Sequence, residues 1–185
     1  MGDAGTREEA LVAMMVAYQG GDASAFEALY REMAGAVRGY LRSLARDATR
    51  AEDLLQETFL QLHRVRHTFD PGRPLKPWVY AIAHNVFLMQ RRAMTRRGRH
   101  ETIAEEELPD LPIPAEVESL ADRDRVRRAL ARLPADRREA VVLHHVLGFS
   151  FNEVGAVQDV SPGAAKVRAH RGMVELRATL RGEAS

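Results

Sequence analysis

The stretch Ser150–Arg171, SFNEVGAVQDVSPGAAKVRAHR, decides how this 185-residue chain folds. Ser150 and Glu153 stand at capping-box spacing, so a short helix, FNEVGAVQ, starts at Phe151. Asp159 and Val160 make a turn, because Asp tolerates the left-handed backbone region. Ser161 then offers an oxygen as N-cap, and Pro162 fills the first helical position, where an N–H is not needed. The following helix, PGAAKVRAHRGMVELRATL, keeps Val167, Met173, Leu176 and Leu180 for packing and carries Lys166, Arg168 and Arg171 near its start. A short helix, a tight turn and a basic helix form the helix-turn-helix arrangement. A helix of that kind fits the DNA major groove, its cations can meet phosphates or guanine edges, and its N-terminus favours a phosphate. An ordinary helical hairpin with a solvated basic face has the same pattern, so the rest of the chain must decide.

Immediately upstream, RVRRALARL places Val126, Ala129, Leu130 and Leu133 on one helical face, and Pro134 sits where a helix start accepts it. ADRREAVVLHHVL follows as a helix and stops at Gly148, a left-handed C-cap. Its adjacent His144 and His145 point to different sides, one inward and one outward. Before this module lies ETIAEEELPDLPIPAEVE, with Pro109, Pro112, Pro114 and seven acids without a base. Such a segment opposes helix and strand and reads as an extended, charged linker whose 18 residues could span roughly 60 Å.

The N-terminal module is also helical. In SAFEALYREMAGAVRGYLRSLARD, Ser24 and Glu27 have capping-box spacing, and Phe26, Leu29, Tyr30, Met33, Val37, Tyr40, Leu41 and Leu44 recur at three and four residues. In RAEDLLQETFLQLHRVRHTF, Leu54, Leu55, Phe59, Leu62 and Val65 make the buried stripe and leave Asp53, Gln56, Glu57 and Gln61 outward. DPGRPLKP breaks the chain, and a third helix starts near Trp78. No segment alternates with period two, so the expected class is all-α, with no strands.

Composition narrows the function. With 45% hydrophobic and 29% charged residues the chain has a soluble globular balance, and without cysteine it has neither disulfides nor thiolate metal sites. The N-terminus has no basic region leading to a long apolar run, which predicts no signal peptide, no membrane insertion and a cytoplasmic location. A net charge of +1 hides segregation: five arginines between residues 91 and 99, seven acids between 101 and 118, then five cations against Glu175 between 166 and 181. Charges separated in this way suggest polyanion-facing surfaces around an acidic connector. Catalytic motifs are lacking: there is no P-loop, G-x-G-x-x-G or G-x-S-x-G, and His63 and His67, four residues apart, have no third ligand in view. Neither an enzyme, a metal site nor a cofactor is expected.

DASAFEALY, AEDLLQETFLQLHR, PWVYAIAHN followed by arginines, and RALARLPADRREAVVLHHVLGFSFNEVGAVQDVSPGAAKVRAHRGMVELR resemble, in order and spacing, the bacterial sigma-70 family. Lacking a middle domain, the chain is most similar to its small extracytoplasmic-function (ECF) group. The resemblance implies two small helical domains, a region 2 bundle over residues 8–98 and a region 4 helix-turn-helix over 119–182, joined by the acidic linker 99–118. It implies a sigma factor that binds core RNA polymerase, at the clamp of the largest subunit and at the flap, and directs promoter-specific initiation. Asp53, Gln56 and Glu57 would face the clamp. The loop Asp70–Pro77 with Trp78, Tyr80, Asn85, Arg91, Arg92, Arg96 and Arg97 would hold the single-stranded −10 element, whose capture needs stacking, polar base contacts and backbone-tracking charge. Ser161, Gly163, Lys166, Arg168 and Arg171 would meet the −35 duplex. The linker would thread basic polymerase channels, and an anti-sigma factor is a further partner that the family allows.

Gly155 stands where the family usually has alanine, Gln158 where it has leucine, Asp159 where it has glycine, and Ala164–Ala165 where it has Thr-Val. Gln158 is therefore expected to weaken the packing of the motif. The competing function is a freestanding helix-turn-helix regulator whose N-terminal module dimerises or senses a ligand. It gives no reason for an acidic helix followed by a Trp-bearing loop and an arginine run.

Overall fold

Glu8 ties the N-terminal module together: its Oε1 accepts the backbone N–H groups of Leu75 at 2.5 Å and Lys76 at 3.0 Å, which are orphan donors at a helix start. This contact belongs to a computed structural model that describes residues 3–45, 47–96 and 120–182. The linker 99–118 and Arg97 lie outside the described residues. Among the described residues eight α-helices follow in order: α1 Asp3–Gln19, α2 Ala23–Ala45, α3 Ala48–Val65, α4 Leu75–Arg96, α5 Leu120–Arg132, α6 Ala135–Val141, α7 Phe151–Gln158 and α8 Pro162–Arg181. No strand occurs among the described residues.

Helices α1 to α4 pack around Met15, Leu29, Val37, Tyr40, Leu41, Leu55, Leu62 and Val79, all fully buried. Three details depart from the periodicity reading. Helix α1 was not anticipated; its Leu11, Met15 and Tyr18 are buried at intervals of four and three. The start of α2 is held by Asp22, whose Oδ1 accepts from the N–H groups of Ser24 and Ala25, so Ser24 is bonded to the capping residue and is not the cap. Helix α4 begins three residues before Trp78, at Leu75.

The second module is punctuated as its sequence predicts. Gly148 adopts φ 76°, Ser150 and Glu153 complete a reciprocal capping box, Asp159 is left-handed at φ 52°, and Ser161 accepts the N–H of Ala164. Between α6 and Gly148 the chain makes a π-helical turn, Val142–Val146, which local propensity does not announce. Gly155 has a steric reason: a Cβ there would lie 2.7 Å from the carbonyl oxygen of Val160, too close for the turn to keep its path.

The two modules are packed against each other. The Tyr80 ring lies 5.0 Å from Tyr40 within its own module and 5.2 Å from Phe149 of the other, edge to face in both cases. Helix α7 lies along α4, and α6 reaches α2.

Candidate polymerase and nucleic-acid interfaces

On α3, Asp53 and Gln56 are exposed and Glu57 is half-buried. Helix-forming Leu and Gln residues with Asp47 as N-cap keep this face regular, while Leu54, Leu55, Thr58, Phe59 and Leu62 hold it to the core. Glu57 Oε1 accepts from Gln61 Nε2 at 3.1 Å and pairs with Arg64 at 3.3 Å. Asp53 and Glu57 border an open cleft of about 440 Å³ against Val86, Met89 and Gln90 of α4; Gln56 stands outside it. Two apolar side chains beside these acids, Leu60 at 52% exposure and Met89 at 63%, escaped the sequence reading because each looks like an ordinary helix former.

The loop before α4 is an Asx turn, with the Gly72 N–H donated to Asp70 Oδ1 at 2.9 Å. Trp78 is half-buried, its indole 5.2 Å from the Phe69 ring, and with Phe69, Asp70 and Arg73 it borders a cavity of about 640 Å³. Spacings of seven, seven and four place Trp78, Asn85, Arg92 and Arg96 along one side of α4. Asn85, Arg91, Arg92 and Arg96 are exposed, and Arg91 leans over the Phe87 ring at 5.8 Å. Tyr80 differs: at 3% exposure it is a core aromatic between Tyr40 and Phe149, and burial pushes its hydroxyl pKa far above the ordinary value. In this packing it presents no face to a base. The opposite wall of the Trp78 cavity comes from the other module, through Asn152, Glu153 and Ala156 of α7.

On α8, Ser161 caps the start, and Gly163, Lys166 and Arg171 are exposed. Arg168 is half-buried and engaged, donating to Gln158 Oε1 at 3.3 Å and lying 3.5 Å from Asp136. Val167 is 48% exposed and does not pack inward as expected; the inward stripe is Ala165, Ala169, Gly172 and Leu176. Gly172 lets α8 close on α6, since a Cβ there would meet Val141 Cγ2 at 2.7 Å.

Gln158 also does not weaken the motif. Its Nε2 donates to Glu139 Oε2 at 2.8 Å and to the Asp136 carbonyl at 3.0 Å. Glu139, only 4% exposed, accepts from the Tyr40 hydroxyl and lies 2.7 Å from His84 Nδ1, both in the other module. Burial first, and then the Glu139 carboxylate, hold the Tyr40 hydroxyl well above its ordinary pKa. A buried carboxylate needs such partners, because leaving its oxygens unmatched would cost several kcal/mol. Of the two histidines weighed as ligands, His63 bonds the Tyr18 hydroxyl and His67 is exposed. No cluster of three metal-ligating side chains occurs among the described residues. No described helix is long and apolar enough to cross a membrane.

Residues 29–97 match the family model Sigma-70 region 2, and residues 123–176 match Sigma-70, region 4. Over 171 residues the chain is 41% identical to RNA polymerase sigma factor CarQ of Myxococcus xanthus, an alignment covering 90% of this chain and 95% of that protein. The chain belongs to the sigma-70 family of RNA polymerase sigma factors. Within it, this sigma factor falls in the ECF group: it is 30% identical to ECF RNA polymerase sigma factor SigL of Mycobacterium tuberculosis, over 86% of this chain and 90% of that one. The solved sigma factor RpoE of Bartonella quintana, in complex with the anti-sigma factor NepR, is 30% identical with a TM-score of 0.71, covering 84% of this chain and 96% of that chain. CnrH, in complex with the cytosolic domain of CnrY, shares the fold at a TM-score of 0.69 and 24% identity, over 95% of this chain and 99% of that one. The sigma factor directs promoter-specific initiation by RNA polymerase, which removes the freestanding regulator as an explanation of the N-terminal module.

Proposed function

We propose that this sigma factor divides promoter selection among three surfaces. Asp53, Gln56 and Glu57 on α3 dock on the polymerase clamp, with Leu60 and Met89 adding apolar contact at the edges of the acidic patch. The Asp70–Pro77 loop and α4 hold the −10 strand: Trp78 stacks a base, Asn85 bonds a base edge, and Arg91, Arg92, Arg96 and Arg97 follow the phosphates. Ser161, Gly163, Lys166, Arg168 and Arg171 bring α8 to the −35 major groove, with Arg168 held at the edge of the contact by Gln158 and Asp136. The acidic residues 99–118 tether the modules, and region 4 also meets the flap. The protein works in the cytoplasm by binding, without chemistry of its own, and an anti-sigma factor is its natural antagonist.

The observation that carries this reading is the line Trp78, Asn85, Arg92, Arg96 on one side of α4, which orders a stacking ring, an amide and then cations along a single-strand path. Tyr80 is kept off that path by Tyr40 of its own module and Phe149 of the other, and parting the modules would remove only the second.

Run-off transcription with purified core polymerase and a promoter library tests the whole reading. Initiation at a defined promoter class is expected; tight duplex binding by the free chain without initiation would overturn it. The division of labour has its own test. Lys166→Ala and Arg171→Ala should lower promoter affinity and leave core association intact. A lost phosphate contact should reduce the salt dependence by about 0.9 log units per log unit of salt. Asp53→Ala should do the reverse, and equal effects in both assays would refute the assignment.

A further inference from the structure

At about 100° per residue, the line on α8 opposite the inward stripe runs through Gly163, Val167 and Val174. Val167 and Val174 are 48% and 54% exposed, and Gly163 adds no side chain. Lys166 and His170 flank this line on one side and Arg171 on the other, all exposed. Arg168, which could otherwise have swung toward a base, is drawn back by Gln158 and Asp136. The middle of the outward face is thus hydrocarbon between two cationic margins.

A scattered surface valine needs no explanation, but this one occupies the position that meets base edges when a helix enters a groove. In the major groove the one apolar group that a base presents is the C5-methyl of thymine. We propose that Val167 is a specificity-determining residue that packs against a thymine methyl of the −35 element, while Lys166 and Arg171 hold the phosphates on either side. Gly163, one turn earlier, lets the start of the helix approach the base pairs without a side chain in between. The proposal rests on the reading above, that α8 enters the −35 groove.

The test uses holoenzyme assembled from core polymerase and the full-length chain. A −35 duplex is selected from a random library by the wild-type holoenzyme, and each thymidine is then replaced singly by deoxyuridine, which removes one methyl group and nothing else. At one position the replacement should weaken binding about 4-fold, the factor expected when a methyl contact of roughly 0.8 kcal/mol is lost. Val167→Ala should weaken binding to the thymidine duplex by a similar factor and abolish the discrimination between the two duplexes. Thermal unfolding of the free variant should match the wild type, because the side chain is exposed. Indifference of the wild type to every replacement, or equal losses for Val167→Ala on both duplexes, overturns the proposal while leaving the sigma reading intact. Reduced core association by Val167→Ala with unchanged DNA discrimination would show that the valine meets protein instead. A wild-type holoenzyme that selects no −35 sequence at all would sink both.

Discussion

Gln158 takes the place of an apolar residue in the turn motif, yet its amide is fully used: two donated bonds hold Glu139 and the Asp136 carbonyl, and its oxygen receives Arg168. Restoring the apolar side chain should therefore harm this protein. Gln158→Leu is expected to lower the free energy of unfolding by about 1–3 kcal/mol in urea titration, since it strips a buried carboxylate oxygen of its partner. The sequence pointed to this position but to the wrong consequence. Glu139 is 19 residues from Gln158 and 99 from Tyr40, and no local rule joins residues at those separations. Val167 departs from its expected inward position for a related reason: periodicity places an apolar residue of an amphipathic helix inward, whereas the contact is carried by Ala165, Ala169 and Gly172.

At the scale of elements, what was legible is what is local. Ser150–Glu153, Asp159, Ser161–Pro162 and Gly148 act within one turn of where they stand, so the boundaries of α7 and α8 followed from them. Helix α1 had no such punctuation, and its worth depends on a remote event, the capping of α4 by Glu8. Replacing that carboxylate by Glu8→Ala should cost about 1 kcal/mol, measured by thermal or urea unfolding, and should loosen the first turn of α4, which carries Trp78. Hydrogen exchange at the Leu75 and Lys76 amides is the direct readout, and unchanged protection there would argue against the cap.

At the scale of the whole molecule, the two modules share one buried polar centre, in which Tyr40 and His84 of the first meet Glu139 of the second. Alkali should expose it. A tyrosine whose folded pKa is raised keeps its proton while the unfolded chain loses its own, so stability is unaffected below about pH 10 and falls as pH rises beyond that, by up to about 1.4 kcal/mol per pH unit for each such tyrosine. Urea midpoints between pH 9 and 11 should show this decline, and Tyr40→Phe should make it shallower.

The wall that α7 sets opposite Trp78 has a consequence for dosage. A loop covered by Asn152 and Glu153 cannot also hold a DNA strand, so on the reading proposed above the packed arrangement is a silent population. Each factor of ten by which it outnumbers the parted one multiplies the apparent dissociation constant for the −10 strand by ten. Substitutions around Glu139, which touch neither polymerase nor promoter, would then set how many copies of this factor a cell must make before the first transcript starts.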